Sequence, residues 1–71
     1  MKIESVEGEY HINWYAQYNV FCDARQWCKN QFGDNWGWAS SGQLDRYFGS
    51  LTVFTFKRLY HAQWFLMRWD V

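Results

Sequence analysis

The chain has 71 residues, with seven basic and seven acidic side chains, a formal net charge of zero and no proline. That length allows one small domain, 1–71, and 49% apolar content without net charge excludes an intrinsically disordered chain. No apolar run approaches the ~20 residues of a membrane span. The acidic start Met1-Lys2-Ile3-Glu4-Ser5-Val6-Glu7 lacks the apolar stretch of a secretory signal, so the expected compartment is the cytoplasm.

In chain order, residues 1–9 are polar, with Ile3 and Val6 as interior aliphatics, and suit either an edge strand or a frayed end. Over 11–20, Ile12, Trp14, Ala16, Tyr18 and Val20 alternate with His11, Asn13, Tyr15, Gln17 and Asn19. A period of two predicts a strand with one buried and one wet face, Tyr15 being the large ring on the wet face. Asp23-Ala24-Arg25-Gln26 has the form of a capping box: the Asp oxygen accepts from an orphan helix N–H and the Gln reaches back. Ala24, Trp27, Cys28 and Phe32 then fall on one helical face, and Gly33 suits a helix end, so a helix is expected over 23–32.

Trp36 and Trp38 share a face if 36–40 is extended. Ser41-Gly42 is a turn signal, 44–48 a short extended run, and Gly49-Ser50 a hairpin turn. Leu51 to Lys57 alternates and is rich in β-branched and aromatic residues, which completes a predicted three-stranded meander over 36–57. Leu59, Ala62, Phe65, Leu66 and Trp69 then return to helical spacing over 59–69. Lys57 and Arg58 oppose the dipole at the start of that helix. The order is β-α-β-β-β-α. The expected fold is α+β: a small, largely antiparallel sheet of about four strands with two helices packed on one face.

The candidate chemistry is sparse. Cys22 and Cys28 are too few for a disulfide framework, and a chain without a signal keeps them reduced. Their five-residue separation is too wide for a zinc knuckle, so His11, Cys22, Cys28 and His61 predict no metal site and no cofactor. A Cys–His nucleophile pair lacks an orienting Asp or Asn, and a domain this small has little room for a substrate pocket, so the chain is expected not to be an enzyme. Glu7 and Glu9 read as a solvated acidic edge. The isolated Gly37, Gly42 and Gly49 make no phosphate loop.

The 17 aromatic rings are the informative feature, because a domain of this size cannot bury them all. An exposed aromatic cluster marks a binding surface. Trp, Tyr and Arg are the residues of interface hot spots, which selects Trp36, Trp38, Arg46, Tyr47 and Phe48 as the main partner-binding set. Trp64 and Met67 off the apolar stripe of the last helix come second, and Tyr15 is added from the wet strand face. The expected partner is a protein, either a separate factor or a second copy in a homo-oligomer. One alternative is single-stranded nucleic acid, with bases stacking on Tyr15, Trp36 or Trp38, and Tyr47 beside Arg46, Lys57 and Arg58. Such a sheet face is similar to the platform of sheet-based RNA binders, although no aromatic RNP-type motif is present, and zero net charge weakens the phosphate attraction. Another alternative is a homo-oligomer that sequesters a small ligand between rings.

Trp27-Cys28, the Phe32-Gly33…Trp36-Gly37-Trp38 turn, and the ending Phe54-Thr55-Phe56…Ala62-Gln63-Trp64-Phe65-Leu66-Met67-Arg68-Trp69 resemble short accessory proteins encoded by tailed phages. The resemblance extends over roughly two thirds of the chain. It implies a small binder that inhibits or redirects a host protein in the host cytoplasm.

Overall fold

A computed structural model of the chain describes residues 1–40 and 50–70. Along the described chain come β1 (Ile3–Val6), β2 (Glu9–Ala16), α1 (Tyr18–Phe32), β3 (Trp36–Ser40), β4 (Ser50–Phe56) and α2 (Leu59–Trp69). The four strands form one sheet in the order β1-β2-β4-β3, antiparallel at every pairing. Ile12, Ala16, Phe54 and Phe56 of the sheet share one buried cluster with Phe21, Ala24, Cys28 and Phe32 of α1 and with Ala62 and Phe65 of α2. Both helices therefore cover the same face, and the α+β class read from the sequence is the one observed.

Residues 1–9 supply an edge strand rather than a frayed end. β1 joins β2 through Glu7-Gly8, with Val6 paired to Glu9. Both loop residues have positive φ, 50° at Glu7 and 83° at Gly8, which is the type I′ signature that matches strand twist. β3 pairs directly with β4, from Trp36 opposite Phe56 to Ser40 opposite Thr52. The Ser41-Gly42 turn, the strand expected over 44–48 and the turn glycine Gly49 lie outside the described residues.

The boundary between the first long strand and the first helix differs from the sequence reading. The strand ends at Ala16 and the helix begins at Tyr18, not Asp23. Phe21 decides this. It is fully buried, and with Ala24, Cys28 and Phe32 it makes a stripe at i, i+3, i+7 and i+11 that only a longer helix can bury. Tyr18 and Val20, which continue the alternation on paper, are half-buried helical residues. Asp23 is exposed within α1, and Gln17 takes the N-cap position without a side-chain cap bond. The capping box is therefore not used.

The interior is held by rings in contact. Phe65 packs against Phe54 with centroids 4.8 Å apart, and against Phe56 at 5.5 Å, Trp14 at 5.7 Å and Trp27 at 6.2 Å. Tilted and edge-to-face pairs of this kind add about 0.5–1.5 kcal/mol each beyond burial. Truncating a fully buried Phe costs about 3–5 kcal/mol, comparable to the whole stability of a small domain. α2 matches its expected range, although Leu59, the first residue of its expected stripe, is exposed.

Candidate functional site

The cleft between α1 and β3 gathers the site chemistry. Once α1 starts at Tyr18, Cys22, Arg25, Gln26 and Lys29 fall at i, i+3, i+4 and i+7, a polar and cationic stripe flanking the buried one. Across from it stand Trp36 and Trp38 of β3. Their register opposite Phe56 and Phe54 places them on the helix-covered face. Among the described residues, these six line an open cleft of about 390 Å³. A second hollow beyond it is lined by Lys29, Trp36 and Trp38 together with Gly33, Asp34 and Gly37.

The two indoles are held differently. Trp36 donates its Nε1–H to the Gly33 carbonyl at 2.8 Å and stacks near-parallel on Phe54, with an interplanar angle of 20°. It is a fixed wall. Trp38 meets Phe21 edge-to-face at 5.1 Å yet stays 41% exposed. The Arg25 guanidinium lies 4.8 Å from the Trp38 ring centroid and 5.3 Å from that of Phe21. That is within cation–π range, worth about 0.5–1 kcal/mol at an exposed site, and Arg25 also lines the cleft.

Gly37 sets how closely β3 approaches β4. A Cβ built there would stand 2.8 Å from Thr55 Oγ1. Glycine is therefore needed between the two indoles for reasons of space.

The remaining sequence-derived site residues are dispersed. Tyr15, 63% exposed and paired with Leu51, lies on the uncovered sheet face, opposite to Trp36 and Trp38. The stacking platform expected from Tyr15 with Trp36 or Trp38 is thus not assembled, because the register turns the tryptophans toward the helices. Trp64, 46% exposed, sits on a separate surface where it meets Trp27 and Phe32 edge-on at 6.2 and 5.6 Å. Lys57 and Arg58 are exposed at the β4–α2 junction, with Arg58 at the N-cap position of α2. Arg46, Tyr47 and Phe48 lie outside the described residues. Sequence reasoning did not select Arg25, Gln26 or Lys29 as site residues, although all three lie within the expected helix 23–32; the missing information was that this helix packs beside β3.

Cys28 is buried in the core, and burial pushes its thiol up to about 12. Cys22 and Cys28 are both free thiols. His61 stacks on Phe32 at 4.4 Å; burial first, and the nearby Arg58 charge second, hold its pKa below the ordinary value. Its Nδ1 is buried without a hydrogen-bond partner. Among the described residues no group of three or more His, Cys, Asp or Glu comes together to hold a metal ion. None of the described helices is long and apolar enough to cross a membrane.

No protein-family model matches this chain, and neither the curated proteins nor the solved structures gave a match.

Proposed function

We propose that this chain is a non-catalytic binding module that engages a protein partner through the α1–β3 cleft. The observation that carries the reading is Trp38: a large indole left 41% exposed, with an arginine stacked on it, on the outermost strand of the sheet. Trp and Arg in a partly desolvated setting are the residues that dominate interface energetics. Trp36, already hydrogen-bonded and stacked, gives the cleft a rigid wall that loses little entropy on binding. Trp64 lies on a different face and serves a second contact at most. In keeping with the resemblance to short phage-encoded proteins, the partner is a host protein in the cytoplasm and the effect steric or competitive.

The test compares the tagged parent protein with Trp38→Ala as bait in cell lysate, after circular dichroism establishes that both fold. Loss of a captured protein with the variant is expected. Equal capture by both removes the cleft from consideration. The nucleic-acid reading is less well supported, since successive bases need successive ring faces and the described sheet face offers Tyr15 alone among large rings.

A further inference from the structure

We infer that the outer face of α2 docks on an anionic lipid bilayer, with Tyr60, Trp64 and Met67 entering the headgroup layer and Lys57 and Arg58 set against the lipid phosphates. This surface is separate from the α1–β3 cleft and goes beyond the binding-module reading.

Two observations carry it. The first is the make-up of α2, whose only polar side chains are His61, Gln63 and Arg68. Ala62 and Phe65 are buried and Leu66 and Trp69 pack beside them, so one side of the helix is committed to the core. The opposite side is where a surface helix ordinarily carries polar residues. It holds Tyr60, Trp64 and Met67 at i, i+4 and i+7, which are 57%, 46% and 81% exposed. The ordinary pattern is seen on α1, where Asn19, Asp23, Gln26 and Asn30 at i, i+4, i+7 and i+11 are all exposed. A helix apolar on both sides has a use for both. Trp and Tyr are the side chains that settle at the level of lipid headgroups, where a ring can be apolar at one end and wet at the other.

The second is charge. From Ser50 to Trp69 the sequence holds Lys57, Arg58 and Arg68 and no acidic residue. Arg68 is engaged locally, 4.3 Å from the Trp69 ring centroid and in a groove that it shares with Asp23. Lys57 and Arg58 are exposed just ahead of Tyr60, where the positive end of the helix dipole adds to their field. That placement is unfavourable for the helix alone and favourable against a negative surface. With 11 residues, α2 lies along such a surface rather than crossing it. Trp64 packs on Phe32 at 5.6 Å and Phe32 on Phe56 at 5.7 Å, which sets the face at the end of β4 remote from Ser50.

The same charges disfavour a second copy. In a parallel pair of α2 helices Lys57 and Arg58 meet their own kind, and in an antiparallel pair they meet Arg68. Nucleic acid is disfavoured by Leu59 and Met67, exposed aliphatic members of the helix that suit hydrocarbon and give bases no ring to stack on.

The probe is a set of sucrose-loaded vesicles of phosphatidylcholine alone or in a two-to-one mixture with phosphatidylserine, and bound protein is read by sedimentation. The parent is expected to bind the mixed vesicles at least about tenfold more tightly than the neutral ones, since each cation at an anionic surface contributes about fivefold. Lys57→Gln/Arg58→Gln should reduce that preference to less than about threefold. Met67→Glu, at an exposed position that the core does not use, should weaken binding to the mixed vesicles by at least about tenfold. Lipids brominated near the headgroup should quench the parent's tryptophan fluorescence, and Trp64→Phe should lose most of that quenching. Circular dichroism establishes that each variant folds.

The inference is overturned if the parent does not sediment with the mixed vesicles, if the neutral vesicles bind it equally well, or if Met67→Glu binds as the parent does. It is also overturned if sedimentation velocity shows a dimer that Met67→Glu dissociates, or if oligothymidine but not the vesicles quenches Trp64, since a second copy or a nucleic acid would then hold the face.

Discussion

Gly37→Ala tests the spacing that positions both site indoles. The new methyl would stand 2.8 Å from Thr55 Oγ1, about 0.6 Å inside an ordinary contact of about 3.4 Å. Thr55 is β-branched and its rotamers are restricted in a strand, so relief requires either an unfavourable side-chain torsion or a shift of β3 away from β4. Overpacking of one methyl costs about 1–3 kcal/mol, while replacing Gly with Ala recovers about 0.4–1 kcal/mol through the unfolded chain. The net expectation is a loss of about 0.5–2 kcal/mol, and each 1 kcal/mol lowers Tm by about 4–8 °C for a domain of this size. The assay is urea unfolding of four proteins: parent, Gly37→Ala, Thr55→Ala and the double variant. With Thr55 removed the clash has no partner, so Gly37→Ala should then stabilise by about 0.4–1 kcal/mol. That reversal of sign is the prediction. If Gly37→Ala has the same effect in both backgrounds, the close approach of Gly37 to Thr55 does not set the β3–β4 spacing.

The other predictions concern the core thiol and the first turn. Cys28 is buried with its pKa pushed from the ordinary 9.0 to about 12, so an aromatic disulfide reagent at pH 8 should react with Cys22 in the folded protein and reach Cys28 only in denaturant. Equal rates for the two thiols would show that the core opens readily. The same shift has a pH consequence. Above pH 9 the unfolded chain releases the Cys28 proton while the folded chain keeps it, so stability is complete below pH 9 and declines as pH rises toward 12. The decline should be shallower in Cys28→Ala, compared by denaturant midpoints at pH 8 and 10; parallel declines would assign it to other groups. Glu7 holds φ at 50°, where L-residues are strained and Asn is better tolerated. Glu7→Asn should therefore raise stability by about 0.5–1 kcal/mol in urea unfolding, and no gain would mean that the turn relaxes without penalty.

Much of the architecture is legible in local patterns. Ile12, Trp14 and Ala16 alternate because one face of β2 is buried, and Ala62, Phe65 and Trp69 repeat at helical spacing because one side of α2 is. Zero net charge, the aromatic surplus and the class of fold follow from the residue list and those two periods. The start of α1 was not legible. Tyr18 and Val20 satisfy a period of two as well as they satisfy a helix, and only packing Phe21 against Trp38 and Phe54, at 5.1 and 6.0 Å, resolves the choice. The site turned on the packing of α1 rather than on where it starts, since Arg25 and Lys29 also lie in the expected helix 23–32. Arg25 and Lys29 acquire a role only when α1 lies beside β3, and Trp38 becomes a cleft wall rather than part of an open platform only when its register opposite Phe54 turns it toward the helices. Periodicity reports which residues of an element share a side. Which element that side meets, and how much of a large ring remains exposed there, depends on contacts between residues far apart in the chain, and tertiary packing alone decides it.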